Sequence, residues 1–370
     1  MRYLIAPDKF KGTMNAQEVA QVIASGIHEW DPTAQVDLLP IADGGEGTAA
    51  LLAGQLGADR RTIETVDPLG RPITAEFFVK ESEAMLDMSA ASGLWRVPPQ
   101  ERNPLRSSTY GTGVIIRHLV ENGFKQIYVG LGGSATVDVG LGTGAAVGYR
   151  FYDLDGREVE YLPTEFPRIE RVQPPENTGL PKVIALADVE TILTGPHGAT
   201  YTFGPQKGLT AEEVETLDRN IADLAARIDR NLGTKFADTP GAGAAGGFGY
   251  GILTFLKGEI MSGFKVVAEK VALRERIATA DIVITGEGKL DSQSLYGKGP
   301  FGVASLAKQL GKPVWALAGV IEDHQLLTAH FDRLNSLVSS DVTLEEAMKN
   351  PDPLLRRRTL ELCRLNTFPG

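Results

Sequence analysis

Ile127-Tyr128-Val129-Gly130-Leu131-Gly132-Gly133-Ser134-Ala135-Thr136-Val137-Asp138 is the stretch that decides the fold. The apolar run 127–129 reads as a buried strand, and it empties into adjacent glycines, a serine, a threonine and a carboxylate. Glycines let a backbone approach an anion closely. The amides and hydroxyls that follow can hold phosphate oxygens, and the acid can hold a metal or take a proton. Strand-to-helix turns are also glycine-rich for packing reasons alone, so the stretch gains weight only from similar patches elsewhere in the chain.

Working outward, short strands alternate with amphipathic helices at both ends of the sequence. Residues 3–6 and 36–39 read as strands. Asn15 and Glu18 form a capping box ahead of Val19, Val22, Ile23, Ile27 and Trp30 at helical spacing. Residues 61–79 read as a β-hairpin around Asp67-Pro68-Leu69-Gly70-Arg71-Pro72, which does not belong to a regular strand–helix run. Helices are expected at 111–121 and, with the capping box Thr210…Glu213, at 211–231, and a strand at 183–186; residues 152–180 are polar and Pro-rich without periodicity. Beyond residue 261 the alternation returns, with helices at 264–279, 301–309 and 343–348, strands at 282–285, 314–318 and 336–338, and a last helix to 365. This predicts an α/β protein of two domains. A Rossmann- or flavodoxin-like parallel-sheet domain (1–62 plus 263–370) is interrupted by an inserted α/β domain (63–262).

Five further patches carry candidate chemistry. Ala6-Pro7-Asp8-Lys9-Phe10-Lys11-Gly12-Thr13 follows the first strand, where open α/β sheets bind ligands. There Lys11 could contact phosphate and Asp8 a metal or a hydroxyl, against the plainer reading of a solvated loop. In Asp43-Gly44-Gly45-Glu46-Gly47-Thr48 two acids sit among three glycines at a helix start. Capping explains the acids but not the glycines, each of which costs backbone entropy. Gly241-Ala242-Gly243-Ala244-Ala245-Gly246-Gly247 fits close packing as well as ligand contact. Ile282-Val283-Ile284-Thr285-Gly286-Glu287-Gly288-Lys289-Leu290-Asp291 runs an apolar strand into a glycine-flanked acid, which core packing does not call for, and Lys298 follows. Lys207, in Phe203-Gly204-Pro205-Gln206-Lys207-Gly208, is a cation among turn residues.

Bulk properties exclude several classes. Of 370 residues, 42% are hydrophobic and 23% charged, which argues against disorder. A net charge of -10 is wrong for a sequence-independent nucleic-acid binder. Cys363 is the single cysteine, so no intrachain disulfide forms. The N-terminal Met1-Arg2-Tyr3-Leu4-Ile5-Ala6-Pro7-Asp8 reaches Pro and Asp too soon for a signal peptide, and no apolar run approaches the ~20 residues of a membrane span. A cytoplasmic protein without membrane partners is expected. The sequence has no P-loop, no dinucleotide fingerprint after the first strand, no protein-kinase motif set, no hydrolase elbow and no His/Cys metal spacing.

Taken in order, A-P-D-x-F-K-G-T, A-D-G-G-E-G-T, R-N-P-L-R-S-S-T-Y-G-T-G, G-L-G-G-S-A-T-V-D, F-G-P-Q-K-G, G-A-G-A-A-G-G-F-G and I-T-G-E-G-K-L-D-S-Q resemble the bacterial glycerate kinases over nearly the whole chain. The resemblance implies ATP-dependent phosphorylation of D-glycerate, usually to 2-phosphoglycerate, with Mg²⁺. It also implies two α/β domains with the active site in the cleft between them. By matching position it puts Asp43, Glu46, Asp188, Glu287, Asp291 and Lys11 among the catalytic candidates. Gly132, Gly133, Ser134, Ala135, Thr136 and Lys207 are expected around the nucleotide, Asp8 around glycerate, and Asp138, Glu287 and Asp291 around the metal; the glycerate carboxylate wants a cation, and Arg106, in the Arg102–Gly113 segment, is the one chosen for it. The chain departs from the family pattern at Val114, Val139 and Thr191. Other readings are a product of 3-phosphoglycerate, a related hydroxy acid as acceptor, or a weakly active sugar-acid-binding homologue; a nicotinamide-dependent dehydrogenase rests on strand–helix alternation alone. The choice between monomer and homodimer is open.

Overall fold

The computed structural model describes residues 1–176, 179–291 and 299–365. The chain forms two compact units, one built from Met1–Asp43 and Phe264–Gly370 and the other from Gly44–Gly263. The first unit starts with strand β1 (Arg2–Ile5), the helix Ala16–Trp30 and strand β2 (Gln35–Leu38). The capping box is closed in both directions: Glu18 N–H donates to Asn15 Oδ1, and Asn15 N–H donates to the Glu18 carboxylate.

The chain leaves this unit at Asp43, earlier than the expected residue 62. Strand β3 (Asp59–Val66) pairs antiparallel along its length with β4 (Pro72–Lys80), and the helix Thr48–Leu56 packs on β4 and on β5 (Glu83–Asp87). A hairpin holds its two strands together through shared hydrogen bonds, so β3 travels with β4. Beyond β5 come β6 (Gln126–Gly130), the small antiparallel pair β7 (Arg150–Tyr152) and β8 (Arg171–Gln173), then β9 (Lys182–Leu186) and β10 (Glu259–Met261). The main sheet runs β10-β9-β6-β5-β4-β3, with β5, β6, β9 and β10 parallel and β4 antiparallel to its neighbours. The long helix Ala211–Leu232 carries its expected capping box and buries Leu217, Ile221, Leu224 and Ile228. The aperiodic 152–180 region still contributes Phe166, Ile169 and Val172 to the core, from a 3₁₀ turn and β8, elements too short for a periodic signal.

On its return the chain forms helices Gly263–Lys270 and Leu273–Thr279, where one helix was expected; Ala272 has a left-handed backbone (φ 52°) that ends the first and starts the second. Strands β11 (Ile282–Leu290), β12 (Val314–Ile321) and β13 (Arg333–Ser336) complete an all-parallel sheet ordered β13-β12-β11-β1-β2. Counted within this unit the order is the flavodoxin-like 2-1-3-4-5, whose switch point falls between β1 and β11. Ile5, Ile23, Ile27, Ile284 and Trp315 form its core. Among the described residues, no helix is long and apolar enough to cross a membrane.

Candidate functional site

In the first unit, the switch point gathers two of the expected acids. Asp8 N–H donates to the Gly286 carbonyl and Thr285 Oγ1 donates to the Ala6 carbonyl, so Asp8, just past the end of β1, runs alongside Glu287 within β11. Asp8 is buried and Glu287 half-buried. Lys11 is exposed on the loop that crosses Gly288, where a Cβ would come 3.1 Å from Lys11 N. The glycines beside Glu287 have a packing reason after all. A Cβ on Gly286 would overlap the Leu317 carbonyl, and one on Gly288 would crowd the Phe10–Lys11 backbone. The acid between them is what packing leaves unexplained. Asp291 ion-pairs with Lys289 at 3.3 Å. Lys298 lies outside the described residues, and Asp43 closes the first segment of this unit.

In the second unit, the parallel strands end side by side. Asp87 is in register with Gly130, and Gly130 with Leu186, two residues before the half-buried Asp188. Leu131 N–H donates to the carbonyls of Gly44 and Leu186. Gly44 lies so close to Leu186 that a Cβ would come 2.6 Å from its carbonyl oxygen, and a Cβ on Gly132 would overlap Gly45 and Glu46 backbone. The two glycine segments and the end of β9 therefore interlock. Exposed Glu46 lies over Gly133, whose φ of 71° suits glycine. The turn is tied by Leu94 N–H donating to Gly133 O and Ala135 N–H to Ser92 O. Arg106 is exposed at the end of the 3₁₀ turn Pro104–Arg106.

Lys207 ends the helix Ala199–Lys207 and is buried beneath this turn. Its Nζ donates to Ser134 Oγ at 2.7 Å and to the Thr136 carbonyl at 2.6 Å. Burial pushes the ammonium down to about 7, and Asp138 opposes that shift. Thr136 Oγ1 is fully enclosed and lacks a hydrogen-bond partner among the described residues. The Gly241–Gly247 segment packs on the same turn: a Cβ on Gly246 would overlap the Thr136 carbonyl and come 2.8 Å from Lys207 Nζ.

Asp138 does not suit the metal role expected of it. It is fully buried, and its Oδ2 accepts from Thr109 N–H (2.7 Å), Thr109 Oγ1 (2.8 Å), Gly142 N–H (3.1 Å) and Ser108 Oγ (3.4 Å), while Oδ1 accepts from Gly140 N–H (3.3 Å). Burial raises its carboxyl above the usual range against the pull of these donors. The oxygens are occupied by Ser108 and Thr109 and by the backbone just past Asp138. Among the described residues, no three His, Cys, Asp or Glu side chains gather closely enough to hold a metal.

Two participants escaped the sequence reading. Asp87 accepts Gly47 N–H at 3.0 Å and Ala49 N–H at 3.1 Å, tying β5 to the first turn of helix Thr48–Leu56. Its signal was the one used elsewhere, an apolar run ending in an acid, in Ala84-Met85-Leu86-Asp87. Thr109, which holds Asp138, had no local signal, because its partner lies 29 residues away.

Both units carry glycine turns and acids on α/β sheets, and comparison with known proteins assigns the class, a phosphotransferase with an alcohol group as acceptor. The chain belongs to the glycerate kinase family, whose model matches residues 3–367. It is 39% identical over 372 residues to the glycerate kinase of Halalkalibacterium halodurans, covering 99% of this chain and 98% of that one. It is 40% identical over 360 residues to the glycerate 2-kinase of Escherichia coli, covering 94% and 93%. A crystal structure described as glycerate kinase 2 from Salmonella typhimurium LT2 superposes with a TM-score of 0.84 at 36% identity, covering 99% of this chain and 98% of that one.

Proposed function

We propose that this protein transfers the γ-phosphoryl group of ATP to D-glycerate, forming 2-phosphoglycerate. The contact between Ser134 and Lys207 carries this reading. It places a cation behind a glycine turn whose amides and Ser134 hydroxyl offer donors for phosphate oxygens. The relatives' names point the same way.

The chemistry asks for charge neutralisation, alignment and a proton acceptor. The turn 132–136 would bind phosphate oxygens. A carboxylate would take the proton of the glycerate 2-hydroxyl as that oxygen attacks the γ-phosphorus. The bond from phosphorus to the β–γ bridging oxygen breaks, and ADP leaves with those electrons. Asp43, Glu46, Asp188 and Glu287 are the candidates for that base. Lys11 and Arg106, both exposed, suit the anionic ends of the substrates. Mg²⁺ held through nucleotide phosphates needs only one or two protein carboxylates with hard oxygens. Asp8 and Glu287, side by side where the chain leaves β1 along β11, fit that demand better than the set Asp138, Glu287 and Asp291. Bound there, the ion would offset charge on the phosphates.

The test is ADP release by purified protein with ATP, Mg²⁺ and D-glycerate, and phosphorus NMR of the product. Turnover giving 2-phosphoglycerate supports the proposal. A 3-phosphoglycerate product corrects the position of transfer. Nucleotide or glycerate binding without turnover identifies a binding homologue instead.

A further inference from the structure

Lys207 has a role more specific than neutralising phosphate. Only 2% of it is exposed, and two of its N–H donors are engaged by Ser134 Oγ and the Thr136 carbonyl. An ammonium has no lone pair, so a serine oxygen that accepts from it must direct its own proton elsewhere. That serine stands in the glycine turn, tied from the other side by Leu94 N–H and the Ser92 carbonyl. Gly246 closes the space next to Nζ, where even a Cβ would crowd it.

We propose that Lys207 is a positioning residue that acts on the nucleotide through Ser134, turning the Ser134 hydroxyl proton outward as a charge-assisted donor to a phosphate oxygen, without touching phosphate itself. This rests on the nucleotide-binding reading above. Loss of the ammonium proton removes the charge that strengthens this donor and leaves a lone pair that can accept from Ser134, drawing the hydroxyl proton inward. The group titrates near neutrality because it is buried. Asp138, on the turn, is the charged group that raises it; the Gly241–Gly247 segment carries no charge, and Arg102 lies against Gly208, the residue after Lys207.

The experiment measures KM for ATP and kcat from pH 6 to 9 in the wild type, S134A, K207M and the double variant, with ADP affinity by calorimetry on the same samples. Wild-type KM for ATP is expected to rise above about pH 7 with kcat less affected. Each single substitution should raise KM about 10- to 100-fold at pH 6 and flatten the profile. The double variant should be no worse than the poorer single one. S134A leaves Lys207 in place, so its pH profile is informative even if K207M folds poorly. Multiplying effects in the double variant, or a wild-type pH profile in S134A, overturns the proposal. If the wild type binds nucleotide but phosphorylates no glycerate, the functional reading fails while ADP affinities still decide the role of Lys207. If it binds no nucleotide, both fail.

Discussion

The carboxylate of Asp138 accepts both the backbone N–H and the hydroxyl of Thr109, at 2.7 and 2.8 Å. A single buried acid thereby ties the glycine turn after β6 to the start of the helix Tyr110–Glu121. Removing it leaves several buried donors unmet, each worth about 1–3 kcal/mol. Asp138→Ala is expected to lower stability by about 3–5 kcal/mol in urea unfolding, and Asp138→Asn by less. An anchor should leave the Mg²⁺ concentration for half-maximal activity unchanged in Asp138→Asn; a large rise would return the residue to the metal.

Gly246 and Gly156 have nearly the same backbone, φ 72° and 77°, but different surroundings. Alanine at either is strained by about 1–2 kcal/mol. At Gly156 the added methyl meets nothing within 4 Å, whereas at Gly246 it overlaps the Thr136 carbonyl. Gly246→Ala should therefore be worse than Gly156→Ala by a further ~1–3 kcal/mol and should weaken ADP binding. Equal midpoints in thermal unfolding would count against this packing.

Val139 is β-branched, buried and left-handed, with φ 47°. Alanine keeps the backbone strain and loses the burial, while glycine loses the burial and relieves the strain. Val139→Gly should accordingly be more stable than Val139→Ala by about 1 kcal/mol, the reverse of the usual order. Chemical denaturation of the two variants decides it.

Stability should report the buried Lys207. Its folded value is about 7, below the ordinary 10.5. Depression of the folded value makes its contribution fully present above pH 10.5 and progressively lost as pH falls toward 7. The stability of wild type minus that of Lys207→Met should rise with pH in this window, by up to about 1.4 kcal/mol per unit. A flat difference would show that the ammonium is not desolvated.

Metal dependence tests the acids at the switch point. Chelation with EDTA should abolish phosphoryl transfer. Glu287→Gln and Asp8→Asn should each raise the Mg²⁺ requirement, and Glu287→Gln should cut kcat by about 10²- to 10⁴-fold. Asp291→Asn, whose carboxylate pairs with Lys289, should leave the Mg²⁺ requirement near that of the wild type.

What the amino-acid sequence determined on its own is local. The capping boxes at Asn15 and Thr210, the hairpin of β3 and β4 and the strand at 127–129 depend on residues within a few positions of each other, and they form where the pattern places them. The family, too, was legible from its ordered motifs. Which unit β3 joins, the strand order that sets Asp8 beside Glu287, the enclosure of Asp138 by Thr109 and the meeting of Lys207 with Ser134 were decided only by tertiary structure. Those relationships join residues tens to hundreds of positions apart. Periodicity and spacing carry no record of such contacts, because packing chooses a partner by shape and charge in space.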